Sequence, residues 1–266
     1  MGKLAGNALG ACVAVVLSVL AWVFFYAPTA AWAQEVIRVR VTHFPPQYFQ
    51  DQAGEWTGLD VELARALVVE AGYTPRFISR PWSRALKEME SGELHLMMNL
   101  SQTTERSVYL DWIGPERTGE LALIVRKGDE NLPVHGIDDL PRVAAARGKK
   151  FGVQADIYYS DEFMEKLKDP AFAAHFETVS KADNNLMMTV SGRILGFFED
   201  RDSLSYRIAH DPQYRDLAVH PFVISSEDVY FGVSKKVPPG VLPRLREAFK
   251  RLEKNGTLEE IRKRTW

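Results

Sequence analysis

Arg106 is the residue of this chain best placed to do chemistry. It follows Ser101-Gln102-Thr103-Thr104-Glu105, a polar stretch that opens a helix. A guanidinium in the first turn of a helix stands beside free backbone N–H groups, and both favour an anion. The planar fork of arginine can also pair with both oxygens of a carboxylate. Asn99, Ser101 and Thr103 offer amide and hydroxyl partners beside it. The competing reading is a surface arginine paired with Glu105 or Asp111, an ion pair of little energetic weight. A second polar group, Glu199-Asp200 with Asp202, follows the apolar run Ile194–Phe198. Any one of these three acids could equally be solvated.

Other chemistries find no pattern. His43, His95, His135, His175, His210 and His220 show no short metal-ligand spacing. There is no G-x-S-x-G elbow and no phosphate-binding glycine loop. Cys12 is the only cysteine. The sequence therefore predicts no metal, no cofactor and no catalytic residue.

These side chains must be positioned by an alternation of short apolar runs and amphipathic helices, which is the pattern of α/β architecture. Strands are expected at Val36–Val41, Thr74–Ser79, Leu94–Met98 and Leu121–Arg126. Helices are expected over Leu59–Ala71, with Gly72 as its stop, and over Trp82–Glu90. His43–Trp56, with two prolines and four aromatics, reads as a loop. Lys127-Gly128-Asp129-Glu130-Asn131 breaks the pattern and marks a crossover. A second series then runs from Lys150–Gln154 through a helix near Tyr158–Lys168, a strand near Phe176–Val179 and a helix near Ala182–Ser191. The strand Ile194–Phe198 follows, then another helix and Leu217–His220. Val229–Val233 reads as a strand returning to the first series. Leu242, Leu245, Phe249 and Leu252 recur at helical spacing, and Thr257 with Glu260 has the form of a capping box.

The N-terminus predicts the compartment. Lys3 is the only charge in the first thirty-three residues. The apolar run Val13–Tyr26 leads to Ala31-Trp32-Ala33, so Ala31 and Ala33 form an A-x-A site, and Gln34-Glu35 follows. This is the pattern of a cleavable secretory signal over residues 1–33, giving a periplasmic product that begins at Gln34. Cys12 precedes the apolar run, which argues against a lipoprotein. Of 33 basic and 35 acidic residues only Lys3 is lost, leaving a net charge of −3 and no basic stripe for nucleic acid. No second apolar stretch approaches the ~18 residues that suggest a membrane span.

Four blocks then resemble, in order, the family 3 extracellular solute-binding proteins of amino-acid ABC importers. Phe44-Pro45-Pro46-Gln47-Tyr48-Phe49 and Gly58-Leu59-Asp60-Val61-Glu62-Leu63-Ala64 are similar to "PPF … GFDVDLA". Ser91-Gly92-Glu93-Leu94-His95-Leu96 is similar to "SGKIDL". Ser101–Arg106 with Leu110-Asp111-Trp112 is similar to "TITPER … VDF", and Gly148–Gln154 to "GKKVGVQ". The resemblance spans nearly all of residues 35–266. It implies a type II periplasmic-binding fold: two α/β lobes, two crossing strands and a ligand cleft. Lobe one would comprise 34–125 and 229–266, and lobe two 126–228.

For the site, the resemblance implies that Arg106 holds a ligand carboxylate and that Tyr48 and Trp82 form aromatic walls. Trp112 is a third aromatic, better explained as core. Asp200 aligns with the acid that meets an α-ammonium. Asp156-Ile157-Tyr158 replaces the family's "GTT", so Asp156 and Tyr158 bring an acid and a phenol where hydroxyls are usual. His95 stands where aspartate is common, and the stretch from His95 to Arg106 is one residue short of the usual form. The expected function is capture of a small carboxylate-bearing molecule by a monomer, without catalysis, for delivery to an ABC permease. Two alternatives share the fold. One is a cyclohexadienyl dehydratase, with Glu199, Asp200 or Asp156 as its acid, and the other is a soluble sensor for a membrane receptor.

Overall fold

The computed structural model describes residues 35–264. The expected signal segment, with Ala31 and Ala33, lies outside the described residues. The strands in chain order are β1 (Val36–Val41), β2 (Phe49–Gln50), β3 (Trp56–Thr57), β4 (Thr74–Ser79), β5 (Leu96–Leu100), β6 (Leu110–Arg126), β7 (Phe151–Gln154), β8 (Phe176–Val179), β9 (Gly196–Asp200) and β10 (Leu217–Ser234). Eight of them form one mixed sheet in the order β4-β1-β5-β10-β6-β9-β7-β8. The helices that precede the last two are, in chain order, α1 (Leu59–Glu70), α2 (Trp82–Ser91), α3 (Thr104–Ser107), α4 (Asp139–Arg147), α5 (Asp161–Lys166), α6 (Pro170–Ala173), α7 (Ala182–Val190) and α8 (Arg201–His210). Two more, α9 (Val241–Lys254) and α10 (Thr257–Arg262), close the chain.

The sheet divides into two halves because its inner strands are covered on both faces. Side chains alternate across a strand. In β5, Leu96 and Met98 enter a core with Val61, Leu67 and Leu245, while Met97 and Leu100 join Ala85, Met89 and Leu110 on the other face. At the far end of β6, Leu123 and Val125 pack with Phe151, Phe163 and Phe198, while Ala122 and Ile124 pack with Phe197 and Leu204. Such burial on both faces is why these strands read as unbroken apolar runs.

β6 and β10 pass through both halves, pairing antiparallel from Leu217↔Arg126 to Ser234↔Leu110. This corrects two expectations of strand length. Leu217–His220 and Val229–Val233 belong to one strand of 18 residues. Leu121–Arg126 is the end of a strand of 17 residues that begins at Leu110. Leu121–Val125 also pairs antiparallel with β9. Polar and glycine positions within Glu116–Glu120 hid the continuity, because the middle of each long strand faces the cavity described below. The strands expected at Leu94–Met98 and Ile194–Phe198 each lie two residues later. The capping box at Thr257 and Glu260 does not form. Gly256 is the cap, and the Asn255 side chain accepts the Thr257 N–H.

One local device sets the first half of the site. The N-terminus of α1 is capped by the proline-rich loop, because Leu59 N–H donates to the Pro46 carbonyl and Asp60 N–H to that of Gln47. The approach depends on Gly58, whose φ is 116° and where a Cβ would lie 2.5 Å from the Gln47 oxygen. A side chain there must push the loop away, carrying Gln47 and Tyr48 with it. Gly58→Ala is expected to lower unfolding free energy by about 1–3 kcal/mol, the cost of a residue forced into such a conformation. Urea unfolding measures it, and an unchanged midpoint would contradict this role for the loop.

Candidate functional site

A cavity of about 410 Å³ lies where the C-terminal ends of β1, β5, β7 and β9 meet the middle of β6 and β10. In open α/β sheets ligands collect at the carboxyl ends of strands. The first half contributes Arg40, Phe44, Tyr48, Trp82, Asn99, Ser101 and Arg106. The second contributes Gln154, Tyr158, Tyr159, Lys181, Asp183, Glu199, Asp200 and Arg207. Glu120 and Glu227 come from the crossing strands.

Arg106 is buried, and its Nη1 donates to the Ser101 carbonyl at 3.1 Å. Its Nη2 donates across the cavity to the Asp156 carbonyl at 3.1 Å. Two of its five N–H donors are thereby used, which leaves the others for a partner. Burial is the main influence lowering its pKa, although far too little to discharge a guanidinium. Thr103 sits behind it as the cap of α3, its hydroxyl accepting the Arg106 N–H, and does not line the cavity. α3 is a single turn of four residues, so the arginine and not a helix dipole provides the positive charge.

Trp82, in the first turn of α2, has two guanidinium groups against its ring. The Arg40 and Arg106 carbons are 5.4 and 5.6 Å from its ring. Its Nε1 donates to the Asp156 carbonyl at 3.0 Å. Asp156 therefore acts through its backbone, and its side chain is not among the cavity-lining groups. Tyr48 is buried, and burial pushes its phenol up to about 12, so it meets the cavity as a neutral group. Tyr158 also lines the cavity, raised to about 12 by burial and then by Asp161. Trp112 packs against the Met89–Leu100 core and donates to Ser107 Oγ, outside the cavity.

Asp200 reaches the cavity, but both of its oxygens are occupied. Oδ1 accepts from Gln47 Nε2 at 3.0 Å and from the Ser203 N–H that it caps at the start of α8. Oδ2 accepts from Arg117. Arg117 also pairs with Asp60 at 2.9 Å. Burial opposes the Arg117 charge, yet Asp60, Asp200 and Glu116 together hold its pKa well above the usual value. Glu199 is paired with Arg207, whose guanidinium stacks 5.2 Å from the Phe44 ring. Sequence reasoning named neither Arg40, Arg117 nor Arg207 for the site. The alternation of β1 and the position of Arg207 one helical turn after Ser203 in α8 were the available signals.

Two cavity-side residues have left-handed backbones, Asn99 (φ 59°) and Asp156 (φ 62°). Asn and Asp tolerate this region better than other L-residues. The Asn99 N–H is held by buried Glu116 Oε2 at 2.9 Å. Burial, then the neighbouring Asp60 charge, raise the Glu116 carboxyl well above the usual glutamate value of 4.5.

The model of the bacterial extracellular solute-binding proteins, family 3, matches residues 37–266. The L-cystine-binding protein TcyJ of Escherichia coli (strain K12) is 24% identical over 220 residues, covering 82% of this chain and 77% of that protein. The histidine-binding periplasmic protein of Salmonella typhimurium is 22% identical over 253 residues, covering 90% and 92%. Among solved structures, an ancestral arginine-binding protein bound to arginine aligns with a TM-score of 0.70 and 23% identity, over 86% of this chain and 96% of that one. At such identity the likeness shows the fold, which is the type II periplasmic-binding fold.

The Glu116 carboxyl gives a test by pH. Its raised value means the folded state keeps this proton to higher pH than the unfolded state does. Its contribution is therefore favourable below 4.5 and is lost as pH rises towards the raised value. Glu116→Gln mimics the protonated form, so its stability relative to wild type should improve between pH 4 and pH 8. Urea unfolding at the two pH values reads the difference. A variant that fares worse at pH 8 than at pH 4 would contradict the assignment.

Proposed function

The chain belongs to the family 3 bacterial extracellular solute-binding proteins, and on that footing we propose that it captures a small carboxylate-bearing amino acid or related metabolite. The observation that carries the reading is Arg106, a buried guanidinium with free donors, which already reaches carbonyls on both walls of the cavity. The named relatives are binding proteins, and the proposal is binding without turnover. Two of the three acids of the dehydratase alternative have other work, Asp200 with Arg117, Gln47 and Ser203 and Glu199 with Arg207, while Asp156 meets Arg106 and Trp82 through its carbonyl and is not among the cavity-lining residues.

In this reading lobe one is 35–118 with 228–264, and lobe two is 119–227. The lobes hinge where β6 and β10 cross, and a ligand favours closure by its differential affinity for the closed state. The protein would act in the periplasm as a monomer and deliver its ligand to an ABC importer. Support for the hinge is that the two cores share only these two strands as continuous elements. Asp200 serves as a structural link between lobes in this proposal, in place of an ammonium acceptor.

Calorimetry over a panel of amino acids tests the reading. Arg106→Ala should cost about 2–5 kcal/mol of binding, as for truncating one partner of a buried charge pair. That corresponds to roughly 30-fold or more in Kd. A loss below about threefold, with the far-UV circular dichroism unchanged, would place the carboxylate elsewhere.

A further inference from the structure

Four arginine side chains stand in or directly behind the cavity, and they fall into two kinds. Arg117 is matched by Asp60 and Asp200, and Arg207 by Glu199. Arg40 and Arg106 are just as deeply buried, 4% and 7% exposed, yet among the described residues neither forms an ion pair. Arg40 Nε donates to the Arg80 carbonyl at 3.1 Å, and its other neighbours are aromatic. The phenol of Tyr48 beside it is held neutral and supplies no charge.

The acids that reach the cavity do not remedy this. Asp200, Glu199 and Glu120 already serve Arg117, Arg207 and Arg201. Asp183 and Glu227 are exposed, on the opposite half and on a crossing strand. Around Trp82 the two guanidinium groups therefore have no carboxylate in contact, and Glu105 and Asp156 act on Arg106 only from a distance. Ring faces and carbonyls orient a guanidinium but do not neutralise it, and an uncompensated buried charge is costly. The group that compensates it must come from the ligand.

We infer that the cavity takes a dicarboxylate, with one carboxylate on Arg106 and the second on Arg40, both beside the Trp82 ring. The inference rests on the binding-protein reading and narrows it to a ligand class. An acidic amino acid and a plain dicarboxylic acid share this chemistry. They differ in an ammonium, which would face the exposed acids Asp183 and Glu227.

The test is calorimetry on the purified protein with L-glutamate, L-aspartate, glutarate and succinate, set against L-glutamine and L-asparagine. At least one dicarboxylate should bind about tenfold or more tightly than the best amide, a difference of about one charge-assisted contact. Tighter binding of the two amino acids would identify the ammonium-bearing source, and tighter binding of glutarate or succinate the plain one. Arg40→Gln should reduce the acid-to-amide ratio below about threefold, whereas Arg106→Ala weakens acids and amides alike. If Arg40→Gln fails to fold, the wild-type ratio still decides. An amide bound as tightly as every dicarboxylate, or binding only of other amino acids, overturns the inference and leaves the proposed function standing. Binding of no amino acid or dicarboxylate at all overturns both.

Discussion

Arg117 lies between two carboxylates that come from separate parts of the chain. Asp60 belongs to the first turn of α1, and Asp200 ends β9 and caps α8. Asp60 is fully buried, so the three charges are bound together by the cost of exposing or orphaning any one of them. Removing one partner from such a group typically costs about 3–5 kcal/mol. Because Arg117 sits on β6, which runs through both halves of the sheet, this single contact fixes two helix N-termini against the strand that joins the halves. Gln47 adds a further contact to Asp200, and Ser203 Oγ donates to the Pro45 carbonyl at 2.8 Å.

The rest of the cavity follows from that arrangement. The loop of Pro45, Pro46 and Gln47 caps α1, and in doing so it places Phe44 and Tyr48 over the site. Phe44 meets Arg207 of α8, whose own position depends on the cap at Asp200. Asp200 and Glu199 of the second half are thus spent on internal arginines, and the guanidinium groups without a carboxylate in contact gather on the opposite wall around Trp82. The same network that builds the cleft decides its electrostatic character.

Much of this could be read in the sequence, and the failures have a common cause. Strands β1 and β4 and helices α1 and α2 were visible because their apolar periodicity matches their burial, and Gly72 stops α1 in a left-handed conformation. Arg106, Tyr48, Trp82, Asn99, Ser101, Tyr158 and Asp200 do line one cavity. The long strands were missed because their polar middle segments contact the cavity and the charge network, and polar residues break the pattern by which strands are recognised. Arg40 escaped notice for a similar reason. It alternates with Val39 and Val41 in β1, where a polar residue suggests a solvated face, but α2 and the loop cover that face. Asp200 was found by alignment to a family position, yet its four protein donors could not be foreseen from neighbours in sequence.

Arg117 joins α1, β6 and α8, and amide hydrogen exchange on Arg117→Lys tests that role most directly. An ammonium keeps the charge but cannot serve two carboxylates with one planar fork. The account predicts faster exchange together in the first turn of α1, in the loop at Phe44–Tyr48 and in the first turn of α8, with β4 and β8 unchanged. Faster exchange confined to β6 itself, with α1 and α8 protected as in the wild type, would contradict it.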